Sequence, residues 1–259
     1  MSLVDARHEG HVSHLVLNRP ERRNAMSVAM LDELMAGLDA AEAQGARVVV
    51  FRGAGGHFCA GGDIADMQRA AAAPVHADGD PIARMNRRFG TLLERVDAFP
   101  LATVSVCEGA VMGGGFGLAC ITDVTLAGPT ARFRLPETSL GISPAQIAPF
   151  VVQRVGYSQA RRLAVTGETL DASAAQALGL AHVSPADVDE ALASLLSRML
   201  RCEPGAVRAT KALVRSVGGR PLAAALDRAA TDFAALARRP QALQGMSAFL
   251  SREDPPWAR

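Results

Sequence analysis

Two strand-like runs in this chain each open directly into a glycine-rich loop, and that pairing restricts the fold more than any other feature. RVVVFRG (47–53) is an almost unbroken β-branched stretch, the mark of a strand covered on both faces. GAGGHFCAGGDI (53–64) follows it. TVSVCEG (103–109) repeats the arrangement and leads into GAVMGGGFGLAC (109–120), with five glycines between Gly109 and Gly117. Glycine weakens helices and strands alike, so such clusters mark sharp turns or close approaches of backbone. Neither loop is a nucleotide fingerprint. The lysine of GxxxxGK[ST] is missing from both, and GGGFGLAC has Leu118 and Cys120 where GxGxxG needs glycines. Two uses remain, and they are compatible. Backbone N–H groups from the two loops can converge on one oxygen and stabilise negative charge there, helped by a helix starting near Gly113 or Gly114. The glycines can also let that helix pack closely on the sheet.

The rest of the chain alternates in the same way. HVSHLVLNR (11–19) reads as a strand ending at Pro20. Ser27 caps an expected helix over 28–44, with Val28, Leu31, Leu34, Leu38 and Ala41 on one face and Gly45 beyond it. Residues 68–81 are weakly patterned and suit a mobile flap. A helix over 82–98 is expected to turn Met85, Phe89, Leu92 and Val96 inward. Strands are expected at 123–127 and 131–135. Ser143 and Pro144 read as N-cap and N1 of a helix reaching Val155, closed by Gly156. Short helices at 158–165 and 173–178 follow, with a last short strand at LAHV (180–183). Beyond Pro185 everything reads as helix, at 186–201, 204–217, 221–237 and 240–251. The expectation is an α/β core over 1–190 and a helical region over 191–259.

Composition excludes several classes. The formal net charge of this 259-residue chain is +1 and aromatics make up 4%, so neither a nucleic-acid surface nor a base-stacking platform is expected. Cys59, Cys107, Cys120 and Cys202 form no CxxC or Cys/His cluster, so no metal site and no disulfide scaffold is expected. No apolar run is long enough to span a bilayer, and a cytoplasmic location is expected.

FCAGGDIADM (58–67), GAVMGGGFGLACITDVTLA (109–127) and FRLPETSLGI (133–142) together resemble the enoyl-CoA hydratase/isomerase family, the crotonase superfamily. NRPERRNAMS (18–27) is similar to its usual opening and GMSAFLSREDPPW (245–257) to its closing helix and tail. The resemblance implies a crotonase-like spiral of ββα units with a C-terminal helical trimerisation region that also covers the site, in a homotrimer or a dimer of trimers. It implies an acyl-CoA substrate, with CoA as part of that substrate and no separate cofactor. Ala60 and Gly114 match the two peptide N–H donors that hold a thioester enolate. Arg22 and Arg23 match a basic segment that meets the CoA phosphates, although a solvated turn would look the same. Gly62, Asp63 and Ile64 match the wall around adenine and pantetheine, and Arg252 a contact from a neighbouring subunit's tail. Asp63 also suits the N-cap of a helix starting at Ile64. Met67 and Phe89 line an acyl pocket or belong to the core.

The carboxylates set the chemistry. Hydratases of the family carry two glutamates; Glu137 matches the second, and Gly117 stands where the first would be. The resemblance therefore implies hydration of an enoyl-CoA. The missing acid keeps open a single-glutamate isomerase, which moves one proton along a dienolate, or an acyl-CoA decarboxylase. LGISPAQIAPFVVQRVG (140–156) is similar to the bacterial branch acting on methylglutaconyl-CoA and isohexenylglutaconyl-CoA. There Gln146 would hold substrate or water in the pocket, or would only brace the helix beside it. Cys59 has no histidine partner motif and is not expected to act as a nucleophile.

Overall fold

The computed structural model describes residues 2–75, 77, 79–217 and 222–258. His76 and Asp78 of the expected flap, and Pro221 at the head of the expected 221–237 helix, lie outside the described residues. Two compact units divide the chain, 1–99 with 103–192 and 100–102 with 193–259.

In chain order the strands are β1 (Val4–Glu9), β2 (Val12–Leu17), β3 (Val48–Gly53), β4 (Ala102–Cys107), β5 (Ala110–Met112), β6 (Val124–Ala127), β7 (Arg132–Arg134) and β8 (Thr169–Leu170). One sheet has the spatial order β1-β2-β3-β4-β6, the other β5-β7-β8. β1 and β2 form an antiparallel hairpin, after which β2 pairs parallel to β3 and β4 parallel to β6. Parallel neighbours need crossover connections, and helices supply them. α1 (Val28–Ala43) links β2 to β3 and α4 (Gly114–Ile121) lies between β4 and β6, while α2 (Ile64–Ala72), α3 (Pro81–Asp97), α5 (Ala148–Thr166) and α6 (Ala172–Ala177) are the other α-helices before residue 188.

Local chemistry explains the elements. The Ser27 hydroxyl accepts from the Met30 N–H at 3.2 Å and starts α1, whose buried face includes Met30, Leu31, Leu34 and Leu38. Val48 to Phe51 are all buried, as a covered strand requires. Asp80 caps α3 ahead of Pro81, which suits the first helical turn. Leu92 and Val96 of α3 enter the core as expected, but Met85 and Phe89 sit higher and line a cleft. All eight residues of α4 are buried. Glycine makes that possible: a Cβ on Gly115 would lie 2.7 Å from both the Cβ and the carbonyl oxygen of Cys59.

Three segments differ from the expectation. The chain at 143–147 is a turn rather than helix, and α5 begins at Ala148 with Ile147 before it. The Pro136–Gly141 segment, whose single 3-10 turn spans Glu137–Leu140, uses the preceding residues, and Ser143 makes no side-chain cap. Gly156 ends the first helical stretch of α5 at φ 76°, as expected, and a second stretch runs on to Thr166. LAHV is no strand: Val183 makes a single bridge to Leu126, and the short strand lies earlier, at Thr169–Leu170. After Val4 every residue of β1 is exposed or half-buried, and Asp5, Arg7, His8 and Glu9 are polar, so no inward-outward alternation shows in the sequence.

The second unit contains the end of α7 (Val188–Leu200), then α8 (Pro204–Ser216), α9 (Leu222–Ala237) and α10 (Pro240–Ser251). Within it Lys211 Nζ donates to the Leu101 carbonyl at 2.7 Å and Trp257 Nε1 to the Arg201 carbonyl at 2.9 Å. Among the described residues no helix is long and apolar enough to cross a membrane.

Gly115→Ala is expected to destabilise the protein by about 1–3 kcal/mol, because the added methyl meets backbone that cannot move aside. Urea unfolding measures this; a midpoint equal to that of the unchanged chain would contradict the close approach.

Candidate active site

The two glycine loops meet. The Cys59 N–H donates to the Ala110 carbonyl, and the Met112 N–H donates back to the Cys59 carbonyl, both at 2.9 Å. A Cβ on Gly61 would lie 3.6 Å from the Gly114 nitrogen. Asn24 braces the first loop from the 18–27 turn. It is fully buried at φ 58°, and its Nδ2 donates to the carbonyls of Ala54 at 2.8 Å and His57 at 2.6 Å. His57 Nδ1 in turn accepts from the Ala110 N–H at 3.0 Å.

Beside this junction lies a cleft of about 670 Å³, open to solvent. The structure brings Gly62, Asp63, Met67, Phe89, Gly114, Glu137 and Gln146 together around it. Gly114 heads α4, so its N–H has no partner within the helix. Gly62 bridges to Met26 in a parallel arrangement that uses the Met26 N–H to the Gly61 carbonyl and the Asp63 N–H to the Met26 carbonyl. In such a bridge the N–H of the middle residue points the other way.

Ala60 does not fill the donor role expected of it. Its N–H is bonded to the Arg23 carbonyl at 2.9 Å, and Ala60 is not part of the cleft wall. Gly62, two residues on, has the exposed edge. Gly117 also corrects the expectation. It does not line the cleft, because Ile147 lies over it: a Cβ at Gly117 would fall 2.2 Å from Ile147 Cγ2. Ile64 is the first residue of α2 and is 48% exposed, outside the cleft wall. Arg22 and Arg23 are exposed on the turn that supports Ala60. Arg252 is exposed at the end of α10, in the second unit.

Three acids line the cleft, and two are occupied. Asp63 caps α2 through the N–H groups of Ala65 and Asp66 and pairs with Arg19. Burial pushes its carboxyl up, but Arg19 and those N–H groups outweigh burial and hold it below the ordinary range. Asp66 accepts from the Val28 N–H at 2.9 Å and pairs with Arg69. Glu137 alone keeps a buried oxygen, Oε2, without a hydrogen-bond partner. Burial raises its pKa above the ordinary carboxylate value, and its own N–H opposes that only in part. Its Oε1 lies 2.9 Å from where a Cβ on Gly113 would be. A carboxyl with a raised pKa thus sits beside the head of α4.

Asn86, Met85 and Ile147 also line the cleft, as does Met26 at its bridge to Gly62; the first three come from a helix face and a turn without a motif, and Met26 was not singled out within the 18–27 block. The Cys59 thiol is pushed up to about 12 by burial, so it is no thiolate nucleophile. Among the described residues no three His, Cys, Asp or Glu side chains form a group that could hold a metal ion.

Fold and cleft define an α/β protein in which a buried carboxyl lies beside the N-terminus of α4. The family model for enoyl-CoA hydratase/isomerase matches residues 7–259. An enoyl-CoA hydratase/isomerase from Marinobacter aquaeolei superposes with a TM-score of 0.95 at 44% identity, covering 99% of each chain. Pseudomonas aeruginosa AtuE superposes with a TM-score of 0.95 at 46% identity over 100% of both chains. A 2,3-dehydroadipyl-CoA hydratase of Escherichia coli is 34% identical over 98% of each chain. The chain belongs to the enoyl-CoA hydratase/isomerase family. It has the crotonase-like α/β fold and is an enzyme of acyl-CoA thioesters.

The raised pKa of Glu137 has a measurable consequence. Below the ordinary carboxylate pKa of about 4 the group is neutral in the folded and unfolded chain alike and costs nothing. As pH rises from there through its raised native value, the unfolded chain ionises first and the fold loses stability. Glu137→Gln is therefore expected to raise the melting temperature at neutral pH, with the gain shrinking toward zero in acid. A gain independent of pH would show that the burial of this carboxyl is not what costs stability.

Proposed function

We propose that this enzyme adds water across the α,β double bond of an enoyl-CoA, with Glu137 as its single acid–base group. The observation that carries this reading is the buried, unpartnered Oε2 of Glu137 in the cleft. The thioester oxygen lies between the N–H groups of Gly62 and Gly114, where the enolate charge develops. Water attacks Cβ, Glu137 accepts a proton from that water, and a proton passes from Glu137 to Cα. The carboxylate ends as it began, and the net change is H and OH added across the double bond.

A branched or carboxyl-bearing acyl chain of the glutaconyl type is the substrate class we favour. Met26, Met67 and Met85 line the cleft, and methionine walls adapt to irregular shapes. The relative named for 2,3-dehydroadipyl-CoA supports the same class. The exposed Arg22 and Arg23 are suited to the CoA phosphates. Assembly into a trimer or a dimer of trimers through the 191–259 helices is supported by Phe233, Phe249 and Leu250, which are 73%, 82% and 82% exposed. Sedimentation velocity at micromolar concentration is expected to give a multiple of three chains; a monomer would oppose it.

One observation favours a second reading. Ile147 fills the space beside Gly117 with hydrocarbon, which suits a single-base isomerase of β,γ-enoyl-CoA. A panel of enoyl-CoA thioesters separates the two. Hydration is expected to remove the conjugated absorbance and incorporate oxygen from isotope-labelled water. Turnover of only a β,γ-enoyl-CoA, without labelled oxygen, would replace hydratase by isomerase. Glu137→Gln is expected to lower kcat by at least about 10²-fold, the lower end for general acid–base catalysis, while leaving thioester binding in place. Retained activity would remove Glu137 from the mechanism.

A further inference from the structure

The cleft holds a second polar element besides its acids. Gln146 directly precedes Ile147, the residue lying over Gly117. It lines the same cleft as Glu137. Its Nε2 donates to Asn86 Oδ1 at 2.9 Å, joining the 143–147 turn to α3 across 60 residues of sequence. Asn86 lines the cleft as well.

The seat of this amide pair is specific. A Cβ on Gly90, one helical turn beyond Asn86, would lie 2.0 Å from Gln146 Oε1. Gly90 is in the middle of α3, where glycine is unfavourable relative to alanine. The bare position on α3 is filled by the Gln146 amide oxygen. The same turn thus places hydrocarbon over Gly117 and an amide in the cleft.

We infer that the Asn86–Gln146 pair, seated on Gly90, orients the attacking water and replaces the polar contact that a side chain at Gly117 would have made. This rests on the hydration reading above. A neutral amide takes no proton at working pH, so the pair orients and Glu137 moves the protons. After its bond to Asn86, Gln146 retains Oε1 and a second N–H, and Asn86 retains its own N–H donors. Oε1 accepts one O–H of the water, leaving the other for Glu137 and a lone pair for Cβ. The charged neighbours have other partners or lie outside the cleft: Asp63 and Asp66 are bonded as described, and Arg87 on α3 is paired with Glu94 at 2.7 Å. In this role Gln146 and Asn86 touch the reacting water, and Gly90 is a positioning residue.

The test uses the full chain and an enoyl-CoA that the unchanged enzyme hydrates with uptake of labelled oxygen. Gln146→Met, near-isosteric but without hydrogen bonds, is expected to lower kcat at least about tenfold with KM within about threefold. Gly90→Ala leaves both amides intact and displaces them; it is expected to show the same kcat-directed loss with its melting temperature retained. Gln146→Glu is expected to add a second ionisation to the pH profile of kcat/KM. The proposal is overturned if kcat stays within about twofold in Gln146→Met and Gly90→Ala. It is also overturned if the loss falls on KM alone, which would make the pair a grip on the acyl chain, or if Gln146→Glu leaves the pH profile unchanged. In all these outcomes the unchanged enzyme still hydrates. If it incorporates no labelled oxygen, the hydration reading itself has failed and the water-orienting role goes with it.

Discussion

The site depends on how closely two stretches of backbone approach each other. Residues 59–62 and 110–115 lie in hydrogen-bonded contact, and Gly115 faces the carbonyl of Cys59 with no room for a methyl between them. The approach requires a side-chain-free face on α4, and it leaves the unpaired N–H of Gly114 beside the Gly61–Gly62 turn. The 18–27 turn supports the arrangement from behind. The Arg23 carbonyl takes up the Ala60 N–H, and the buried Asn24 ties down the loop through Ala54 and His57.

Against that frame the acids are sorted by their partners. Asp63 and Asp66 are used up in capping α2, bonding Val28 and pairing with arginines. Glu137 is left partly desolvated, with a buried oxygen that has no hydrogen-bond partner and a pKa raised by burial. The cleft around it is mostly apolar, so the few polar groups in it are conspicuous, and the Asn86–Gln146 side-chain pair joins two distant elements.

Much of this was legible in the residues. The β-branched runs gave β3 and β4, because continuous burial and branching leave few alternatives to a covered strand. Ser27 and Asp63 mark helix starts through local hydrogen bonds that need only a few residues to form. The 143–147 segment was misread for the opposite reason. Ser-Pro looks like a cap, yet the preceding 3-10 turn and the packing of Ile147 over Gly117 hold those residues as a turn until Ala148. β1 and β8 escaped because a polar edge and a two-residue strand carry no usable alternation.

By itself the sequence determined the alternating α/β order, the two glycine loops, the lone glutamate after Pro136 and the family resemblance. These follow from local propensities and contiguous motifs. Only the tertiary structure decided which N–H of the first loop faces the cleft, because Ala60 and Gly62 differ in which backbone partner lies across from each. Only it decided that the place beside Gly117 belongs to Ile147, and that Gly90 makes room for Gln146. Those are contacts between residues far apart in the chain, set by how helices close over sheets, and no local pattern encodes them.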